Sequence, residues 1–451
     1  MSRPDGGDPP EAPLRSAPDG RPYRTPWGKR APDNPWWIWP ILGRVPDVEP
    51  RHVNMLGTVA LALLFEQYDQ AMLTAAASQI AASFGLLESD LAALFGRIQA
   101  GSLLAFFLIP FADRFGRRRV FLGSIVVLSL ATVLSGFAQS VDQFVLCQMV
   151  ARMFMVTCSA TAFVLVTEEL PAQHRGWGIG LLGALGATGY GLALLVFAGI
   201  DLLPYGWRAM YVAGMLPLAL LPRLRRSVPE TRRFTLHSET MEGSLLMGWW
   251  RPLVGLVRDH PWRTLAVGLI GALHAGGQST AFSYAAYFVQ NDHGWSPGAY
   301  SAMAIVAGTF GIVGHPWTGR IADSRGRRVV GFTLMAAFPL FAFGFYLGPA
   351  FLLPLAWIPL IFSLTGSITI CRALATELFP TSQRGSASGF LQLAEALGRV
   401  GGFAIVDWGV PEGGSSVPWV LGVSMFSLVA AFIVLTVPET SRRELEEISE
   451  A

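Results

Sequence analysis

Twelve stretches of mostly apolar sequence, separated by short polar turns, limit what this chain can fold into. They run near 55–81, 92–111, 120–138, 144–166, 177–199, 208–222, 265–290, 299–318, 329–348, 351–373, 386–407 and 417–437. A helix that crosses the hydrocarbon core of a bilayer needs about 20 such residues. Within lipid the backbone has to satisfy its own hydrogen bonds, which runs of this length do as helices. Composition agrees: of 451 residues only 14% are charged, with a mean hydropathy of +0.44, against about 25% charged in soluble domains.

Six of the stretches precede a polar break and six follow it. The expected fold is all-α, a polytopic membrane protein with twelve transmembrane helices in two pseudo-symmetric six-helix bundles. Its expected organisation is a disordered segment over 1–52, a first bundle over 53–222, a linker over 223–263, a second bundle over 264–437 and a tail over 438–451. The first fifty residues are rich in Pro, Gly, Arg and Asp and contain no apolar run, unlike a signal peptide. Trp36, Trp37 and Trp39 close that segment and are expected at headgroup level. Within the linker, Trp249, Trp250, Arg251 and Arg258 suggest a helix lying on the membrane surface.

Arginine placement orients the chain, because cytoplasmic loops collect basic residues. The N-terminal segment, the turns near 114–119 and 320–328, the linker and the tail hold most of them, whereas Glu88, Asp90, Asp142, Asp201, Asp292, Asp407 and Glu412 occupy the opposite loops. Both termini are therefore expected in the cytoplasm, and the protein in a bacterial inner membrane. The formal net charge of +2 reflects this asymmetry and gives no reason to expect a nucleic-acid partner. Cys147, Cys158 and Cys371 fall inside predicted spans, so neither a disulfide framework nor a metal cluster is expected.

The two halves echo one another. Asp113-Arg114-Phe115-Gly116-Arg117-Arg118 returns 210 positions later as Asp323-Ser324-Arg325-Gly326-Arg327-Arg328. Glu168 and Arg175-Gly176 return as Glu377 and Arg384-Gly385, and Pro229-Glu230-Thr231 returns as Pro438-Glu439-Thr440, each after 209 positions. The two charged turns resemble the G-x-x-x-D-R-x-G-R-R signature of the major facilitator superfamily, which occupies the same two places. The second copy keeps the leading Gly319, whereas the first has Ile109. Thr167-Glu168-Glu169-Leu170-Pro171, Thr376-Glu377-Leu378-Phe379-Pro380-Thr381 and the tail Val437-Pro438-Glu439-Thr440 look like the sugar-porter and metabolite:proton-symporter branch.

That resemblance implies a secondary transporter working by alternating access. It also implies a cytoplasmic latch of Asp113, Arg117, Glu168, Arg175, Asp323, Arg327, Glu377 and Arg384. Departures from the sugar porters make a monosaccharide cargo doubtful. Span 7 reads Gly276-Gly277-Gln278-Ser279-Thr280 where they carry Q-Q-x-x-G-x-N, and span 10 lacks their G-P-x-P-W run. Span 5 is rich in glycine without proline, which suits close helix packing and not the G-P motif of drug antiporters.

Ionisable groups inside spans cost roughly 2.5–3.5 kcal/mol each on insertion scales, so each needs a reason. Glu66 and Asp69 share a face of span 1, and Tyr68-Asp69 resembles the F-G-Y-D stretch whose Asp is tied to proton coupling in sugar porters. Arg152, one turn beyond Gln148 on span 4, and Arg97 on span 2 are the candidate partners of Asp69. A permanently paired packing role is the competing reading. Substrate contacts are expected among Gln148, His274, Gln278, Tyr284, Tyr287, Gln392, Glu395 and Arg399, although Glu395 and Arg399 could equally neutralise one another.

The sequence has no phosphate-cradling Gly-rich loop with Lys, no metal-pair His spacing and no nucleophilic triad. No enzyme chemistry, catalytic residue, metal or cofactor is expected. The expected partners are a small-molecule substrate, protons and the lipid bilayer, with the protein a monomer. The leading expectation is proton-coupled uptake of a small polar solute, an organic acid or zwitterion before a neutral sugar. A proton-driven exporter and, from another class, a non-transporting membrane receptor are the alternatives.

Overall fold

The computed structural model describes residues 45–46, 48–171, 174–227, 253–380 and 383–440, without the side chains of 109–114, 175–176, 313 and 316. The tryptophans at 36, 37, 39, 249 and 250, the Pro229-Glu230-Thr231 motif and most of the N-terminal segment, linker and tail lie outside the described residues, as do the side chains of Asp113 and Arg175.

The first half contains α1 (Pro50–Ala75), α2 (Ala77–Phe84), α3 (Asp90–Phe115), α4 (Arg117–Gly136), α5 (Val141–Glu169), α6 (Arg175–Ala198), α7 (Trp207–Val212) and α8 (Leu216–Ser227). The second contains α9 (Pro261–Asn291), α10 (Pro297–Arg325), α11 (Arg327–Leu347), α12 (Leu353–Glu377), α13 (Arg384–Gly409), α14 (Val417–Ser424) and α15 (Phe426–Val434). A helical stretch over 253–259 leads into α9.

Among the described residues, eight segments are long and apolar enough to cross a membrane, and α10 is a ninth, bent by 42° between Pro297–Ile312 and Trp317–Arg325. Pro316 lies in that bend, where its missing N–H interrupts the helical ladder. Three more crossing units complete twelve: α1 with α2, α7 with α8, and α9. Polar groups lower the apolar signal of two of these, Glu66 and Asp69 in α1, and His274 and Gln278 in α9. The third is divided by a tight turn at Ala213–Met215.

The repeat in the sequence is a repeat in packing. Helix α1 lies along α6 as α9 lies along α13, α4 lies on α5 as α11 lies on α12, and α3 meets α5 as α10 meets α12. Gly189 of α6 and Gly398 of α13 stand 209 positions apart, and a Cβ on either would fall onto backbone, that of Leu64 and Ala272 respectively. Span 5 glycine thus permits close packing, and the second half has its counterpart. The two charged turns also repeat: Gly116 has φ 96° and Gly326 φ 101°, a region that side chains other than hydrogen avoid.

Buried apolar residues form one core in each half toward the arginine-rich end, around Leu56, Phe121 and Leu165 in the first and Val267, Leu374 and Leu391 in the second. At the acidic end a single core runs through both halves, uniting Phe95, Phe144 and Trp207 with Tyr284, Phe345 and Phe403. The halves are therefore closed upon each other at the acidic end.

Candidate functional site

Near mid-height, α1 brings two carboxylates toward α4 and α5. Thr132 Oγ1 of α4 donates to Asp69 Oδ1 at 2.8 Å, and Ser159 Oγ of α5 lies 2.5 Å from each oxygen of Glu66. Both carboxylates are nearly inaccessible, 5% for Glu66 and 4% for Asp69. Gln148 Nε2 donates to Ser135 Oγ at 3.0 Å, while the Ser135 hydroxyl donates to the Ala131 carbonyl.

Arg152 stands beside these acids, close enough to Asp69 and Glu66 to feel both charges. Its backbone is admitted by Gly101 of α3, whose added Cβ would stand 3.1 Å from Arg152 Cβ. Among the described residues its hydrogen bond is to the Met155 sulfur at 3.4 Å, a weak acceptor for a group with five donors. The charge of Arg399, on α13 of the other half, also reaches Arg152. Arg399 Nη1 lies 3.7 Å from Glu395 Oε2, a loose pair on one helix face. Two guanidiniums from opposite halves thus lie within electrostatic reach of one another, each incompletely satisfied.

The other expected residues are distributed differently. Arg97 pairs with Asp142 at 2.6 Å, both side chains more than half exposed, and takes no part in the Asp69 cluster. His274 Nδ1 lies 2.8 Å from Ser427 Oγ of α15, which donates to the Met335 carbonyl of α11. The Ser427 proton being committed, His274 must donate through Nδ1, and its ring is held among helices of its own half. Gln278 Oε1 and the Tyr284 hydroxyl are buried without a hydrogen-bond partner among the described residues. Tyr284 packs edge-on against Phe95 across the closed end. Tyr287 accepts from Asn291 through its carbonyl, and Gln392 is exposed.

The charged turns at the arginine-rich end staple each half to itself. Arg117 meets Glu168 at 3.1 Å in the first half. In the second, Arg327 meets Glu377 at 3.0 Å and Asp323 at 2.5 Å. Glu439 accepts the backbone amides of Arg327 and Arg328 at 2.7 and 3.1 Å, and Thr440 Oγ1 donates to Glu377 at 2.5 Å. Arg384 donates to the Phe379 carbonyl at 3.4 Å. Each of these contacts joins residues of the same half.

Bonds between the halves sit at the acidic end. Gln79 Nε2 donates to Gln290 Oε1 at 2.8 Å, Gln290 Nε2 to the Ala75 carbonyl at 3.2 Å, and Ser78 Oγ to Asn291 Oδ1 at 3.1 Å. Glu88 joins them by accepting the amide of Ser416. Sequence reasoning missed Ser78, Gln79 and Gln290, and it missed Thr132, Ser135 and Ser159, because neutral polar residues carry no signal until the fold pairs them.

Comparison with known proteins fits the arrangement. The description Major Facilitator Superfamily matches residues 59–403. The sialic acid transporter NanX of Escherichia coli is 23% identical over 400 residues, covering 86% of this chain and 94% of its own. The cis,cis-muconate transport protein of Acinetobacter baylyi is 26% identical over 374 residues, 76% of this chain and 83% of its own. An inward-open structure of the xylose transporter XylE from E. coli superposes with a TM-score of 0.67 at 20% identity, covering 88% of this chain and 99% of that one. With this match over most of its length, on a frame of two six-helix halves around a mid-height charge cluster, the chain belongs to the major facilitator superfamily and is a multi-pass membrane transporter, not an enzyme.

Proposed function

We propose that the protein imports a small organic acid together with protons across a bacterial inner membrane. In this reading the arginine-rich end faces the cytoplasm and the structure is open inward. The observation that carries it is that Arg152 of one half lies within electrostatic reach of Arg399 of the other, with Glu66 and Asp69 close to Arg152. Two cations across a gap repel, and a carboxylate between them turns that repulsion into two charge-assisted hydrogen bonds. Binding at this point also draws the halves together, which is what alternating access requires of a midplane site.

Glu66 and Asp69 supply the proton sites. While Arg152 neutralises them they stay ionised, and when Arg152 turns to the cargo carboxylate they lose their counter-charge and take up protons. Proton loading and anion binding then favour one another. The two transporters compared above are named for cis,cis-muconate and sialic acid, both carboxylates, which supports the same class. Gln278 and Gln392 are the candidate contacts to the remainder of the cargo, and the cytoplasmic turns keep each half rigid as it rocks.

The test is accumulation in proteoliposomes of cis,cis-muconate, benzoate, N-acetylneuraminate and xylose under an inward proton gradient. At least one acid accumulates, xylose does not, and Arg152→Gln and Arg399→Gln each abolish acid binding. Accumulation of xylose alone, or of an acid by both arginine variants, overturns the reading.

A further inference from the structure

Toward the cytoplasm from Arg399, the second half carries a polar patch that this cycle does not use. Helices α10 and α12 approach closely there because Gly311 and Gly314 carry no side chain. A Cβ at Gly311 would stand 2.8 Å from Ile361 Cγ2, and one at Gly314 would stand 2.7 Å from Thr365 Oγ1. On the next turn of α12, His315 Nδ1 lies 2.7 Å from Thr369 Oγ1. The Thr369 hydroxyl already donates to the Thr365 carbonyl at 3.1 Å, so it accepts from His315, which fixes the proton on Nδ1.

Arg372 follows Thr369 by three residues on the same face of α12, and it is exposed. It stands close enough to both His315 and Arg399 for its charge to act on each. Its guanidinium makes no ion pair or hydrogen bond with another described residue. The contrast with its neighbours is informative, since Arg117 and Arg327 at the same end each have a glutamate. At 1.5 Å per residue, Arg372 lies about 8 Å from the cytoplasmic end of its helix and Arg399 about 22 Å from that of its own.

We propose that His315, Thr369 and Arg372 form a second carboxylate-binding position, occupied by the cargo after it leaves Arg152 and Arg399. The proposal rests on the reading of the cargo as an organic anion. An acid held by two guanidiniums leaves slowly unless a further cation lies along its way out. An arginine nearer the cytoplasmic end of its helix, without a partner among the described residues, gives the anion a lower step, as multi-site occupancy does in channels.

The test uses the full chain in detergent with Thr369→Cys, taking the unsubstituted protein with its buried or half-buried Cys147, Cys158 and Cys371 as the baseline. Thiol labelling by 2-sulfonatoethyl methanethiosulfonate is compared with labelling by the 2-(trimethylammonium)ethyl reagent. The anionic reagent reacts at least 10-fold faster, Arg372→Gln brings the two rates together, and Arg372→Lys restores the difference, which also shows that the variants fold. Millimolar cis,cis-muconate slows the anionic reagent, and does so equally when Arg152→Gln disables the central position. Equal rates for the two reagents, or protection that disappears with Arg152→Gln, overturn the proposal. Protection that persists while the unsubstituted chain accumulates no acid overturns the central-site reading alone.

Discussion

Glu88, in the turn between α2 and α3, reaches the other half of the molecule and accepts the backbone amide of Ser416 at 2.6 Å, one residue before α14 begins. Ser416 Oγ lies 3.4 Å from the Glu88 carbonyl, to which it donates. A carboxylate here satisfies an amide that the helix cannot pair and lies at the positive end of the helix dipole. Nearby, burial and the Glu88 charge push the Asp292 carboxyl up from its ordinary range. The acidic end is thus sealed by polar groups laid over the shared apolar core.

Glu88→Ala should weaken that seal. A hydrogen bond to a charged group contributes about 1.5–3 kcal/mol, so the population open at the acidic end should rise on the order of 10-fold or more. Spin labels at Leu202 and Trp408, 88% and 87% exposed in the two halves, report the separation by pulsed electron resonance. A distance distribution identical to that of the unsubstituted protein would remove Glu88 from the seal.

Gly326→Ala should destabilise the second half by about 1–2 kcal/mol from its left-handed φ alone. It should cost more than that φ alone, because a Cβ at Gly326 would stand 2.6 Å from Glu439 Oε2 and displace the carboxylate from two amides. Thermal unfolding in detergent would show it, and an additive loss in Gly326→Ala combined with Glu439→Gln would deny Glu439 this role. The motif's Gly was legible in the sequence as a turn. Its second duty, leaving room for the Glu439 carboxylate, depends on a partner 113 positions away.

His274 separates a span's chemistry from its packing. Its Nδ1 proton goes to Ser427, whose own proton goes to Met335, a chain that ties α9, α15 and α11 within one half. His274→Ala should lower the melting temperature while leaving acid affinity within about twofold, since a lost buried hydrogen bond costs about 1–3 kcal/mol of stability. A large loss of binding at unchanged stability would return His274 to the cargo site.

The twelve spans, the two-fold repeat and the charged turns were readable because apolar length, arginine placement and motif spacing are local or periodic properties. Glu66, Asp69 and Arg152 stood out because charge in a span is costly. Which neutral hydroxyls would receive those charges was not readable, since Thr132 and Ser159 lie 63 and 93 positions from their carboxylates. Arg97 looked like a partner for Asp69 by depth in its helix, but Asp142 sits at 2.6 Å and takes it. The contacts at the acidic end join residues more than 200 positions apart, and no pattern in the intervening sequence announces them.

Asp69 and Glu66 have different surroundings, and the difference predicts different phenotypes. Asp69 receives the Thr132 hydroxyl on one oxygen at 2.8 Å, and the charge of Arg152 reaches it. Both oxygens of Glu66 are engaged by Ser159 at 2.5 Å. Asp69→Asn mimics the protonated form and removes the counter-charge of Arg152, so acid still binds but its binding no longer draws in a proton there. Accumulation driven by a pH gradient should be lost, while exchange of labelled for unlabelled acid, which need not release the proton, should persist. Ser159→Ala strips Glu66 of its donor and should reduce the same accumulation less, on the order of 10-fold, for about 1.5 kcal/mol of lost charge-assisted bonding. Undiminished accumulation by Asp69→Asn would move the coupling role to Glu66, and loss of both accumulation and exchange would place Asp69 in cargo binding.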